Sequence, residues 1–256
     1  MTNYQKVKLA HIVAIALLSI TLLLAFDLTL LISGLAVSWL FWCFGLTISL
    51  HKMSSHKAFE PKNKLIKYIL LWFGTVITMG SAIDFSAGHR QHHKFADTDK
   101  DPYNIEGSFF HKFKLFFYWF PTSKISPLVI KDLLKDKEHV LFNNHYWKIL
   151  AIYPAILLLI NPVYVAYFYA LPVIYVLIGM GYVTVWAHLP YMQQLGTRPY
   201  ATDDNSWNSK LFVWLLAGEG YHNTHHQFPG YWNYETLPGD IDISGRIIKV
   251  LKKNEE

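Results

Sequence analysis

Apolar residues gather into long runs along this chain, and the polar positions between them cluster. From Leu9 to about Phe26 the sequence is almost uninterruptedly apolar, Asp27 breaks it, and a second run continues from 28 to about 50. Each run approaches the roughly 20 residues that cross a bilayer core as a helix. The pair reads as a helical hairpin with its turn at Asp27, rather than as a cleaved leader, because no small-residue cleavage site follows the first run. A third apolar stretch covers 65–85. Residues 86–148 are polar, aromatic and rich in lysine, with Pro102, Pro121 and Pro127. A long apolar run over 149–187 is divided by Asn161-Pro162, a turn signal, into arms of about 149–160 and 163–187. The first arm is short for a crossing unless it extends toward His145. Residues 188–256 return to polar, turn-rich sequence.

Composition supports a membrane protein. Apolar residues make up 52% and charged residues 16% of the chain, against about 25% charged in an average soluble domain. The formal charge of +5 does not point to nucleic acid, because the lysines flank apolar runs. His51 is followed by Lys52, Lys57, Lys62, Lys64 and Lys67, the basic flank expected on the cytoplasmic side. The single cysteine, Cys43, lies inside an apolar run, so a metal must be bound through nitrogen and oxygen.

Thirteen histidines are present, and eight fall in three clusters: His51 and His56; His89, His92 and His93; His222, His225 and His226. At about 100° per residue, each HxxHH cluster fans its imidazoles over about 100° of a helix, the outer two each within about 60° of the first. Such a fan can serve one metal or divide between two. His51 and His56 would stand about 140° apart on a continuous α-helix, so the helix is expected to end or bend between them. His188, directly after the last apolar run, offers a ninth imidazole. His11 reads as interfacial, and His111, His139 and His145 as surface or packing residues. So many neutral ligands suit redox iron, which accepts imidazole well. A structural zinc site normally closes at four ligands, often with cysteine.

A shared metal site needs every ligand on one side of the bilayer. The stretch 65–85 separates the first two clusters, so it must be interfacial or re-entrant, its backbone covered by protein. The expected fold is all-α and integral to the membrane, a single domain over 1–256. Four transmembrane helices form two hairpins (9–26 with 28–50, 149–160 with 163–187). A cytoplasmic helical cap, 51–148 and 188–256, carries the dimetal site, and both termini are cytoplasmic.

The pattern HxxxxH, HxxHH, HxxHH resembles the membrane fatty acyl desaturases, most closely the stearoyl-CoA (delta-9) type. Asp101-Pro102-Tyr103-Asn104, Gly196-Thr197-Arg198-Pro199-Tyr200 and Gly218-Glu219-Gly220-Tyr221-His222-Asn223, followed by Phe228-Pro229, are similar to family segments. The resemblance covers roughly residues 35–245. It implies metal ligation by His51, His56, His89, His92, His93, His188, His222, His225 and His226. It also implies two iron ions, O2 as co-substrate, and electrons from a separate protein such as ferredoxin or cytochrome b5 with its reductase. Zinc can load into such a site on overexpression. Thr184 stands where the family often has an asparagine reaching a metal through water. Ala87-Gly88 replace an Arg-Asp pair that the vertebrate enzymes use with coenzyme A, which leaves acyl-carrier protein or a membrane lipid beside acyl-CoA as the carrier. Glu219 and Asn223 are expected to orient ligand imidazoles, and Leu35 and Trp39 to floor an acyl tunnel. A hydroxylase or ketolase on the same scaffold is the nearest alternative, and a non-enzymatic metal-binding membrane protein a more distant one. A transporter fits poorly, because the two hairpins show no sequence repeat.

Overall fold

A computed structural model describes residues 2–122 and 125–254. Among the described residues the secondary structure is helical, with two isolated bridges, Pro61 to Lys252 and Thr197 to Asn208, and no named strand. Helix α1 covers Asn3–Leu24 and α2 covers Leu28–Phe41. Asp27 caps α2, its side chain accepting from the Leu30 amide at 2.9 Å, which satisfies one of the orphan donors of the helix start.

Helix α2 does not stop at Phe41. It continues over Trp42–Ser55 as a π-helix, so the apolar helix is 28 residues long and runs past His51. This corrects the expectation of an end or bend between the first two histidines. A π-helix closes i→i+5 hydrogen bonds, and the His56 amide donates to the His51 carbonyl at 3.1 Å. Widening the winding stacks residues five apart on one face, which α-geometry forbids.

The stretch predicted over 65–85 divides into α3 (Lys64–Val76) and α4 (Ala82–Phe95), joined by a tight turn. Thr78 and Gly80 have φ of 63° and 89°, the left-handed conformation that reverses a chain. The turn is buried and its polar groups are covered by side chains from other helices. His11 meets the Thr78 carbonyl at 2.7 Å, Tyr169 meets the Thr78 hydroxyl at 3.1 Å, and Tyr146 Oη accepts from the Gly80 amide at 3.2 Å. His11 is therefore not interfacial: it is buried and holds this turn.

Helices α5 (Phe109–Phe116) and α6 (Lys137–Asn144) follow in the cap. Helix α7, Tyr146–Ile160, has Pro154 inside it and is 15 residues long, about 22 Å by helical rise. Among the described residues three helices are long and apolar enough to cross a membrane: Asn3–Leu24, Leu28–Ser55 and Pro162–His188. The third comprises α8 (Pro162–Val165), a π-turn over Ala166–Ala170, α9 (Leu171–Thr184) and a short 3-10 turn at Trp186–His188. Small residues let these helices approach closely. A Cβ on Gly34 would lie 2.5 Å from the Tyr167 carbonyl, and one on Gly179 would lie 2.2 Å from the Trp42 ring.

The chain closes with α10 (Lys210–Leu215), α11 (His222–Gln227) and α12 (Ile243–Leu251). The C-terminal part is locked to the first histidine cluster by a fully buried ion pair, Lys52 with Asp242 at 2.7 Å. Lys52 also donates to Ser244 Oγ and the Trp232 carbonyl, and lies 4.0 Å over the Tyr234 ring. Removing one partner of such a pair strands a charge away from water. Asp242→Ala should therefore destabilise the protein by about 3–5 kcal/mol, read as a lower melting temperature in detergent, with Lys52→Met plus Asp242→Ala recovering part of the loss.

Candidate metal centre

Each histidine reaches the centre for a local reason. The π-winding stacks His51 and His56. Helix α4 starts at a capping box, Ser81 with Asp84, which fixes where His89, His92 and His93 fall. Helix α11 opens from a Gly-Glu-Gly turn: Gly218 has φ of 105°, and a Cβ on Gly220 would lie 2.1 Å from the Val213 amide nitrogen. No larger residue fits at Gly220, and the turn aims His222, His225 and His226 inward.

The nine imidazoles fall into two groups. Donor nitrogens of His51, His56, His89, His93 and His225 lie within 4.8 Å of one another, as do those of His92, His188, His222 and His226. The sharing follows helical spacing. His89 with His93, and His222 with His226, are four apart and stay together, while His92 and His225 turn to the opposite group. Facing Nε2 atoms are 3.0 Å apart for His51 and His225, 2.7 Å for His56 and His89, 2.7 Å for His93 and His225, and 2.9 Å for His188 and His222. Neighbouring nitrogens on one metal, each roughly 2.1 Å from it, stand roughly 3 Å apart.

The far nitrogens show which atoms are left for a metal. His51 Nδ1 meets Glu219 at 2.6 Å, His92 Nδ1 meets Asp101 at 2.8 Å, His188 Nδ1 meets Asp97 at 3.1 Å, and His226 Nδ1 meets Asp204 at 2.7 Å. A carboxylate only accepts, so each Nδ1 carries the proton and each Nε2 keeps its lone pair. His225 Nδ1 pairs with the Tyr234 hydroxyl at 2.8 Å. His226 Nε2 is buried with no hydrogen-bond partner, a cost that a bound cation would remove. The donor set fits a pair of metal ions.

Electrostatics keep most of these imidazoles neutral. Burial first, then the neighbouring imidazoles, hold His56, His89, His93, His222 and His225 well below the ordinary histidine value. Burial lowers His226 to about 4 against the hydrogen bond it donates to Asp204. His92 goes the other way: burial opposes its charge, but Asp101, with Asp97 and Asp204 behind it, outweighs burial and raises it. Burial opposes the charge on Asp97, yet its hydrogen bond with His188 brings it down to about 2.

The remaining sequence-predicted residues divide. Glu219 stands behind His51. Asn223 touches no imidazole in the hydrogen-bond network; its amide holds the 200–206 loop through Tyr200, Thr202 and Ser206, and that loop carries Asp204. Thr184 donates to the Met180 carbonyl at 2.6 Å, within its own helix. Leu35 is 44% exposed on the outer face of α2, so it floors no interior tunnel here. Trp39 is half-buried, its indole N–H on the Trp214 carbonyl at 3.0 Å. Sequence reading missed Asp97, Asp101, Asp204 and Tyr234. Two of them had a signal: Asp101 opens the Asp-Pro-Tyr-Asn segment, and Arg198 of the Arg-Pro-Tyr segment donates to the carbonyls of Thr202 and Asp204.

Comparison with known proteins places these residues in a wider set. A family model described as fatty acid desaturase matches residues 8–238. An sn-1 stearoyl-lipid 9-desaturase of Anabaena variabilis is 26% identical over 86% of this chain and 79% of its own length. A probable acyl-CoA desaturase of Schizosaccharomyces pombe is 31% identical over 78% of this chain. The stearoyl-CoA desaturase of Bos taurus is 30% identical over 75%. The chain spans only 43% of the yeast protein and 55% of the bovine one.

These protonation equilibria predict a pH response of the metal-free protein. A histidine held low in the fold but ordinary when unfolded takes up protons first in the unfolded state, so its stability contribution is present above about pH 6.5 and shrinks as pH falls. Asp97 and Asp204, depressed by their histidines, extend the loss below about pH 4. His92 and Asp84, both raised, oppose this, their contributions being lost as pH rises. The melting temperature after chelation should fall steadily from pH 7 to 4; a flat or rising profile would contradict this assignment.

Proposed function

The chain belongs to the fatty acid desaturase family, and we propose that it places a cis double bond, at the delta-9 position, in a saturated acyl chain. One observation carries this reading: two adjacent groups of buried imidazoles whose lone pairs converge. Two iron ions there would supply the redox chemistry, O2 being the oxidant and ending as two waters as the acyl chain gives up two hydrogens, a separate donor gives two electrons and solvent gives two protons. All nine histidines are assigned as ligands.

The protein's part is holding and excluding. Glu219, Asp97, Asp101 and Asp204 fix the tautomer and orientation of the imidazoles behind which they stand. Apolar walls provide little purchase on chain position, so the site of attack depends on tunnel shape and head-group anchoring. With Leu35 facing outward, Trp39 is the residue that limits chain length. For the carrier, a membrane acyl-lipid is favoured. Ala87 is buried and a Cβ on Gly88 would meet the Tyr103 hydroxyl at 2.6 Å, leaving no room for a charged pair directed at a nucleotide. A soluble donor such as ferredoxin or cytochrome b5 then supplies electrons from the cytoplasmic side.

In the membrane, α1, the α2–π helix, α7 and the α8–α9 helix form two hairpins. Helices α3 and α4 form a re-entrant pair whose buried turn is covered by His11, Tyr146 and Tyr169. Both termini and the cap lie on the cytoplasmic side, where the basic flank stands.

The first test is the fatty-acid profile of a host expressing the chain with a competent donor, beside a His92→Ala control. A new cis-9 alkene in the glycerolipid fraction, absent from the control, is expected. Hydroxy or keto products would move the chain to the related oxygenases, and alkene first appearing in acyl-CoA or acyl-carrier protein would overturn the carrier. Trp39→Ala should shift the preferred substrate toward longer chains, and an unchanged chain-length distribution would remove Trp39 from that role.

A further inference from the structure

The four carboxylates behind the histidines are not evenly divided. Asp97 and Asp204 both hydrogen-bond to members of the four-histidine group, through His188 and His226. Among the described residues Glu219 alone does so for the five-histidine group, through His51. Asp101 adds an acceptor behind His92 at 2.8 Å, again in the four-histidine group; the count needs only the other two. The remaining polar partner on the five-histidine side is the Tyr234 hydroxyl on His225, and burial together with Glu219 and Asp242 keeps that phenol protonated.

Resting on the di-iron reading above, we propose that Asp97 and Asp204 make the four-histidine position the one that takes the higher positive charge first. A negative charge attracts Fe(III) more than Fe(II), and in a buried site this attraction is weakly screened. A carboxylate hydrogen-bonded to Nδ1–H also makes its imidazole a more basic ligand. The five-histidine group has one more neutral ligand, which also favours Fe(III). That is a dipole set against an extra full charge, and the charge has the longer reach. Of the other charges near the five-histidine group, Lys52 is balanced by Asp242 at 2.7 Å, while Asp132 is shared by Arg90 at 2.6 Å and the exposed Lys57 at 2.7 Å, leaving a net positive charge that disfavours Fe(III) on that side. On withdrawal of one electron per chain, Fe(II) becomes Fe(III) at the four-histidine position. The electron passes through a mediator to a poised electrode, and no bond is made or broken.

Asp97 and Asp204 are positioning residues in this account, and the test reads a spectrum and a potential. Protein loaded with 57Fe(II) should show two Mössbauer doublets of equal area. Asp204→Asn should shift one doublet and Glu219→Gln the other, which assigns them; Asp97→Asn supplies the same assignment if Asp204→Asn does not fold. At one electron withdrawn per chain, nearly all ferric signal in the unmodified protein should replace the doublet sensitive to Asp204→Asn. That variant should also raise the first midpoint potential, and by more than Glu219→Gln does. Ferric signal shared evenly, or appearing first in the doublet sensitive to Glu219→Gln, overturns the proposal. A chain that binds fewer than two irons removes the di-iron reading and this inference together, at the loading step, before any potential is applied.

Discussion

Everything in this protein answers to one electrostatic demand: nine imidazoles must stay neutral, buried and aimed inward. Burial supplies neutrality by penalising the charged form, and carboxylates supply aim by accepting a hydrogen bond from the Nδ1–H of four of the rings. The two requirements pull against each other, since a carboxylate that accepts a hydrogen bond from Nδ1–H also favours protonation of the other ring nitrogen. His92, raised by Asp101 where its neighbours are lowered, shows where the second effect wins.

Bringing those rings together forces unusual backbone. A long apolar helix must deliver two histidines five residues apart to one group, and the π-winding of Trp42–Ser55 is how it does so. The chain also reverses in a buried turn between α3 and α4, which is possible because His11, Tyr146 and Tyr169 meet its polar groups. Both devices follow from satisfying backbone hydrogen bonds away from water.

Much of this was legible in the sequence, for physical reasons that also mark where legibility ended. The histidine clusters, the apolar runs, the cap at Asp27 and the Asn161-Pro162 break are local signals, readable in a short window. Asp97, Asp101 and Asp204 could not be assigned that way, because the contact of Asp97 with His188 spans 91 residues and an aspartate in a polar loop looks like any other. The π-helix leaves no mark in hydrophobic periodicity when nearly every side is buried. Leu35 and His11 were misplaced for a related reason: the sequence says that a helix lies in an apolar setting, not which face meets lipid and which meets a neighbour.

The Lys52–Asp242 pair joins residues 190 positions apart, and it sets the timing of the protein's birth. A chain leaving the ribosome carries Lys52 long before its partner, because the carboxylate that neutralises it is made 190 residues later. Until then that ammonium must remain in contact with water, so the first histidine cluster cannot settle into its buried place. The ligands on α11 arrive scarcely earlier. The histidine centre therefore cannot close around its first cluster alone: it waits for the segment that carries both α11 and Asp242.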